Sequence, residues 1–514
     1  MNGAESLVKT LLASNIDVCF ANPGTSEMHF VAALDRVPGM RCVLGLFEGV
    51  VTGAADGYGR MAGKPASTLL HLGPGLANGI ANLHNARKAR TPILNIVGEH
   101  ASDHLQYESP LRSDLPGTAA LISDWHKVSA VGAIAEDAAA AVTAARSFDG
   151  QISTLMLPAD TAWGPGAEPI AAAEPAPLVH ATEAAMAHAV EAIRAGKRVG
   201  VLVTGKAVEE QGLDLLACLA QSGVKIFAQQ SNRRFARGQG RFVVQRIPFA
   251  IDQGVALLAD IEVLILVGSH PPAAFFGYPD KPRLLTAPGC SVFPLVEPGG
   301  DALHALDWLI ESLGLPRNKV TIQSAATPAL PTIDELNADT IMQAMAALLP
   351  EQAIIVDESV SSGRSLFKFT DGAKPHDYLQ ITGGAIGSGL PMAMGASVAC
   401  PDRKVVCFEG DGSGMYTLQA LWTQAREQLD VVTIILANRS YRILHGELKG
   451  VGILNPGEQA HRMLDLSGPE LDWVALAKGH GVQAVRVSTV SEFAKVFKAA
   501  CANKGPFLIE AMLP

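Results

Sequence analysis

The chain has 514 residues, 48% of them apolar and only 18% charged, with a formal net charge of −10. That length suits roughly three domains, and the apolar excess suits parallel sheets covered by helices on both faces. The acidic balance without a Lys/Arg run argues against a nucleic-acid surface, and no window reaches the ~18 consecutive apolar residues of a membrane span.

The opening stretch Met1–Val18 carries Glu5 and Asp17 and has no long apolar core, so it reads as an amphipathic helix rather than a signal peptide. Seven scattered cysteines form no C-x-x-C pair, which fits a reduced, cytoplasmic α/β protein. Residues 1–165 alternate apolar runs with helical repeats. Strands are predicted at Val18–Phe20, Cys42–Leu44, Ser67–Leu70, Ile93–Val97 and Thr154–Leu157, with helices from about Ser26, Gly49 and Leu76. A Pro/Ala-rich passage, Trp163–Pro177, reads as a linker. A second α/β domain is expected over 183–313, with strands at Arg198–Val203 and Val263–Val267. A second linker follows over 314–331, and a third α/β domain over 332–514.

The third domain holds the most informative stretch, Lys404–Tyr441. An apolar run, Lys404–Phe408, stops at Glu409-Gly410-Asp411-Gly412, a helical repeat follows, and a second apolar run, Val431–Leu436, leads to Asn438. A strand–helix–strand unit in one sheet makes the two strands parallel. Asp411 and Asn438 would then sit side by side beyond the carboxyl ends of their strands, where open α/β sheets bind ligands. One carboxylate and one amide oxygen suit Mg²⁺, which takes its remaining ligands from water and phosphate. Gly410 and Gly412 allow close approach to a phosphate, and a helix after Ser413 would offer free N–H groups.

Gly410-Asp411-Gly412 followed by Asn438 resembles the thiamine-diphosphate motif of the family that contains benzoylformate decarboxylase, pyruvate decarboxylase and acetolactate synthase, and the likeness extends over almost the whole chain. It implies three domains, pyrimidine-binding, middle and diphosphate-binding, with Mg²⁺ held by Asp411, the Asn438 side chain and the Ser440 carbonyl. Ser361, Gly412 and Ser413 would donate to the diphosphate, and Tyr441 would cover the metal turn. Glu48, in a match to E-x-x-x-x-x-x-A-D-G-Y-x-R, would hydrogen-bond the pyrimidine ring nitrogen and favour the tautomer that removes the thiazolium C2 proton. In Gly383–Pro391, Ile386 is the bulky residue that would bend the cofactor, and the Gly384 carbonyl would accept from its amino group. Phe47 stands where relatives often have histidine.

For the substrate, Asn22-Pro23-Gly24-Thr25-Ser26-Glu27 puts a hydroxyl, Thr25, where benzoylformate decarboxylase has a serine. His71 ends a buried strand at the ligand edge, and its type titrates near neutrality as a proton carrier must. The second active-site histidine of that decarboxylase has no clear counterpart, since His270 is out of register. Gly73-x-Gly75-x-x-x-Gly79 with Glu99 imitates a dinucleotide fingerprint, but Pro74 and the displaced last glycine weigh against it. No G-x-G-x-x-G occurs in the middle segment, so no flavin is expected. The resemblance therefore implies a thiamine-diphosphate- and Mg²⁺-dependent enzyme that removes CO₂ from a small 2-oxo acid, as a homodimer or homotetramer with sites between subunits. An acetolactate-synthase-like carboligase and a catalytically silent cofactor-binding homologue are the alternatives.

Overall fold

Short apolar runs cut off by Gly, Pro or Asp become strands, and the helical repeats between them force nearly every pairing to be parallel. The computed structural model describes residues 1–317 and 325–514, so part of the second predicted linker, 318–324, lies outside the described residues. The first sheet contains β1 (Val18–Ala21), β2 (Arg41–Leu44), β3 (Ala66–Leu70), β4 (Ile93–Glu99), β5 (Trp125–Val128) and β6 (Ile152–Pro158), in the all-parallel order β2-β1-β3-β4-β6-β5.

The middle segment supplies β7 (Val199–Val203), β8 (Lys225–Ala228), β9 (Phe235–Arg237), β10 (Gln245–Arg246), β11 (Val263–Val267) and β12 (Ser291–Val296). Five of these form a parallel sheet, β10-β8-β7-β11-β12, while β9 leaves it. The last sheet joins β13 (Ile354–Glu358), β14 (His376–Gln380), β15 (Val405–Gly410), β16 (Val431–Ala437), β17 (Gln483–Val487) and β18 (Phe507–Met512), in the order β17-β18-β16-β15-β13-β14-β9. Its outermost strand is β9, which pairs antiparallel with β14.

Two helices bring the first and last sheets together. The helix Glu48–Ala62 and the helix Gly389–Ala399 cross with their backbones in contact: a Cβ at Gly57 would strike the Met392 carbonyl, and one at Gly395 would strike that of Ala54. Only glycine permits that approach. Beside the crossing, the buried Arg60 pairs with Asp56 (2.6 Å) and donates to the Gln380 carbonyl (2.6 Å), the Arg233 carbonyl (3.2 Å) and Thr382 (3.1 Å). One side chain thus ties the first segment to the loop before β9 and to the end of β14.

Candidate active site

The two strands of the informative stretch are parallel neighbours, with Gly410 opposite Leu436, so Asp411 and Asn438 leave the sheet at the same edge. The tips are joined directly. The Arg439 N–H donates to Asp411 Oδ2 (2.5 Å) and the Gly412 N–H to Oδ1 (3.0 Å). Burial pushes the Asp411 carboxyl above its usual range, and those two N–H groups pull the other way. Asn438 Oδ1 accepts from the Ser440 N–H (3.0 Å), while its Nδ2 reaches Ser362 Oγ (3.4 Å). A Cβ at Gly412 would come within 2.5 Å of the Tyr441 ring, so Tyr441 lies against this turn.

The donor set is a carboxylate, an amide oxygen and chain carbonyls, the chemistry of a hard cation such as Mg²⁺. Among the described residues no group of three or more His, Cys, Asp or Glu side chains gathers to hold a metal. A cation at Asp411 would therefore depend on phosphate oxygens for most of its negative charge. The residues fit a magnesium-bridged diphosphate.

Ser361 lies in the turn after β13, at the same sheet edge. The Ser413 hydroxyl points into the turn, donating to Glu409 Oε2 (2.9 Å) and accepting from the Gly410 N–H (2.9 Å). The predicted helix after it is a 3-10 turn, Gly414–Tyr416, and the α-helix waits until Ala420–Arg426. Ser413 can offer a phosphate its backbone N–H rather than its hydroxyl.

Sequence reasoning missed an acid pair beneath this edge. Glu358 and Glu409 are register partners on β13 and β15, and both are fully buried. Burial raises Glu358 to about 7, against the N–H groups of Gly389 and Gly387. Burial and then the Glu358 charge push Glu409 well above the carboxylate range. Like charges opposite one another in a sheet destabilise it, so the pair keeps a proton. The only signal was an acid closing each buried run, in Val356-Asp357-Glu358 and Phe408-Glu409-Gly410.

Glu358 also holds the glycine-rich turn. Its two oxygens accept from the N–H groups of Gly387 (2.7 Å) and Gly389 (2.5 Å), on either side of the start of the helix. Ile386 stands half-buried on this turn, and Gly384 adopts φ +76. The residue facing Gly384 from the middle segment is Phe275, whose ring comes within 2.8 Å of a Cβ placed there. Exposed His270 and Phe275 both line a cleft of about 820 Å³ at the carboxyl ends of β7, β8, β11 and β12.

Glu48 is the first residue of its helix and 7% exposed, and its Oε2 accepts from Asn78 Nδ2 (3.0 Å). Its other oxygen faces Gly75, 3.3 Å from a Cβ placed there. The Gly73-Pro74-Gly75 sequence, read as a turn, is the first turn of a helix beginning at Leu72 instead of about Leu76. Proline is tolerated there because the N–H it lacks has no partner.

His71 has a partner the sequence did not assign. Its Nδ1 lies 2.9 Å from Oε2 of Glu27, whose side chain is wholly buried. Glu27 also accepts from the Gly24 N–H (2.7 Å) and the Ser26 hydroxyl. An anionic carboxylate at Nδ1 favours the tautomer with the proton on that nitrogen and leaves Nε2 free to exchange one. Thr25 is exposed, and the hydroxyl near His71 Nδ1 is Ser26 (3.3 Å). A side chain at Gly24 would occupy the space of the His71 ring.

Comparison with known proteins agrees with this geometry. The model of the thiamine pyrophosphate enzyme N-terminal TPP binding domain matches residues 1–120, and that of the C-terminal TPP binding domain matches 361–511. The IlvX protein of Mycobacterium tuberculosis, provisionally named an acetolactate synthase large subunit, is 47% identical over 100% of this chain and 99% of its own. Benzoylformate decarboxylase of Pseudomonas aeruginosa is 29% identical over 96% of this chain and 95% of its own. A solved structure of the thiamine diphosphate-dependent 4-hydroxybenzoylformate decarboxylase of Rhodococcus jostii superposes with a TM-score of 0.84, at 24% identity, over 100% of this chain and 99% of that one. Joined strand tips bearing Asp411 and Asn438, two matched cofactor-binding domains and full-length relatives lead to one conclusion: the chain belongs to the thiamine-pyrophosphate-dependent enzymes that include benzoylformate decarboxylase and acetolactate synthase.

Proposed function

We propose that this enzyme removes CO₂ from a small 2-oxo acid with thiamine diphosphate and Mg²⁺, working in the cytoplasm as a homodimer or homotetramer of three-domain subunits. The observation that carries the reading is the hydrogen bond between the strand tips, Arg439 N–H to Asp411, which sets a carboxylate and the Asn438 amide at one sheet edge. Asp411, Asn438 Oδ1 and the Ser440 carbonyl would hold the metal, with backbone donors at Ser361, Gly412 and Ser413 for the diphosphate and Tyr441 over the turn. When bound, the cofactor supplies a nucleophilic carbon and a sink for the electrons left by departing CO₂.

The chain's own residues orient and move protons. Glu48 would hold a proton at the pyrimidine ring nitrogen, the Gly384 carbonyl would accept from the amino group, and Ile386 would keep the two rings facing each other. His71, fixed at Nδ1 by Glu27, would present Nε2 to the substrate, with the Thr25–Ser26 turn beside it. No helix among the described residues is long and apolar enough to cross a membrane.

Measuring CO₂ release from a panel of 2-oxo acids, with and without thiamine diphosphate, tests this. Cofactor-dependent release accompanied by aldehyde supports a decarboxylase. Release accompanied by acetohydroxy acid supports the carboligase reading, which the 47% identity to a protein named for acetolactate synthases favours. Tight cofactor binding without release on any substrate refutes both and points to a silent homologue.

A further inference from the structure

Glu358 closes β13, is buried, and has no part in the contacts so far assigned to cofactor or substrate. Its two side-chain oxygens take the N–H groups of Gly387 (2.7 Å) and Gly389 (2.5 Å), directly beyond Ile386. Its backbone carbonyl faces the Ser413 hydroxyl (3.5 Å) of the turn after β15. Four residues further on, Ser362 Oγ meets Asn438 Nδ2 (3.4 Å) at the tip of β16. One residue thus touches the turn of Ile386 with its side chain and the strand tips with its backbone, all within the last segment of one chain. We propose that Glu358 is a positioning residue that sets the Ile386 turn at a fixed distance from the strand tips that would hold the diphosphate.

The turn needs such a hold. Gly384 and Gly387 adopt φ +76 and +97, and glycine loses more backbone freedom on ordering than any other residue. Thr417, just past the turn after β15, donates to the Gly387 carbonyl (3.0 Å) and supplies a second tie between the same two turns. The space between them is filled by the acid pair. A Cβ at Gly389 would come within 2.1 Å of Glu409 Oε1 and 2.9 Å of the Glu358 Cβ, while Glu409 Oε2 accepts from Ser413 (2.9 Å). Gly389 also begins the helix Gly389–Ala399, where a negative group is favoured by the helix dipole. Two N–H groups aimed at the two oxygens of one planar group call for a carboxylate. Glutamine has the same shape but one acceptor, and would turn its NH₂ onto one of the two N–H groups.

The proposal rests on the thiamine-diphosphate reading, and its test separates the two. Glu358→Gln and wild type are compared by amide hydrogen exchange of residues 383–390 without cofactor, and by NMR exchange of the thiazolium C2 proton in the Mg²⁺–thiamine-diphosphate complex. The expected result is faster amide exchange confined to that turn and C2 exchange slowed about ten- to hundredfold, the scale of a misplacement of roughly 1 Å. Cofactor affinity, read by calorimetry, should change less, because Asp411 and Asn438 are untouched. Wild-type rates in both exchange measurements overturn the proposal while leaving the cofactor reading intact. Faster amide exchange with unchanged C2 exchange overturns it too, since Glu358 would then serve the fold alone. Absence of C2 exchange in wild type overturns both readings. Should Glu358→Gln not fold, Glu358→Asp, which keeps two oxygens but is one methylene shorter, takes its place under the same criteria.

Discussion

Replacing Arg60 with alanine should loosen the junction of the first segment with the last sheet. The change strands Asp56, whose carboxylate is 1% exposed and would keep only the Thr91 hydroxyl at 2.6 Å. Breaking a buried ion pair from one side costs about 3–5 kcal/mol. The carbonyls of Gln380 and Arg233 lose a charged donor as well, at about 1 kcal/mol each, so Arg60→Ala should cost about 4–6 kcal/mol after partial relaxation. Asp56→Ala should cost a similar amount, and the double variant about 2–3 kcal/mol less than the sum, because neither charge is then left alone. Urea unfolding followed by circular dichroism measures all three. A loss below about 1 kcal/mol for Arg60→Ala, or strict additivity in the cycle, would refute the argument.

Other consequences follow from the same geometry. Glu48→Gln should leave Mg²⁺–diphosphate binding in place and abolish C2 proton exchange, read by NMR; unchanged exchange contradicts its role. Glu27→Gln should lower CO₂ release at least tenfold and reshape its pH profile, because the amide no longer fixes the His71 tautomer; an unaltered profile separates His71 from the chemistry. Glu358 sits at about 7 when folded against 4.5 when free, so the folded chain binds more protons between those values and stability falls as pH rises through that window. The shift corresponds to about 3 kcal/mol. Denaturant titrations from pH 4.5 to pH 8 should show that decline, and Glu358→Gln should flatten it; identical slopes sink the assignment.

What the sequence made legible were features carried by local pattern. β15 and β16 are buried on both faces, so each reads as an unbroken apolar run, and the polar residues that end them, Asp411 and Asn438, stand out by contrast. The acid opening the Glu48 helix and the glycines before Pro391 are legible for the same reason. β5 escaped because it is an edge strand whose residues, including His126 and Lys127, are largely exposed. β9 escaped because three residues carry no periodicity, and its pairing with β14 joins segments more than a hundred positions apart.

The candidate site hid its supports in the same way. Glu27 and His71 come from different strand ends, and only the packing of the first sheet makes them partners. Glu358 and Glu409 meet through the register of β13 with β15, which no local pattern encodes. Phe275 went unremarked because nothing local shows that its ring packs against Gly384, more than a hundred positions further along the chain. Side chains that touch a ligand have characteristic types. Those that position them are chosen by distance, which the linear chain does not display.

The central claim is that the joined tips of β15 and β16 bind a magnesium-bridged diphosphate. Calorimetric titration of thiamine diphosphate into metal-free protein, with and without Mg²⁺, and into Asp411→Ala tests it most directly. Saturable binding that requires Mg²⁺ and disappears with the Asp411 carboxylate is the predicted result; no binding, or binding indifferent to both metal and Asp411, would contradict it.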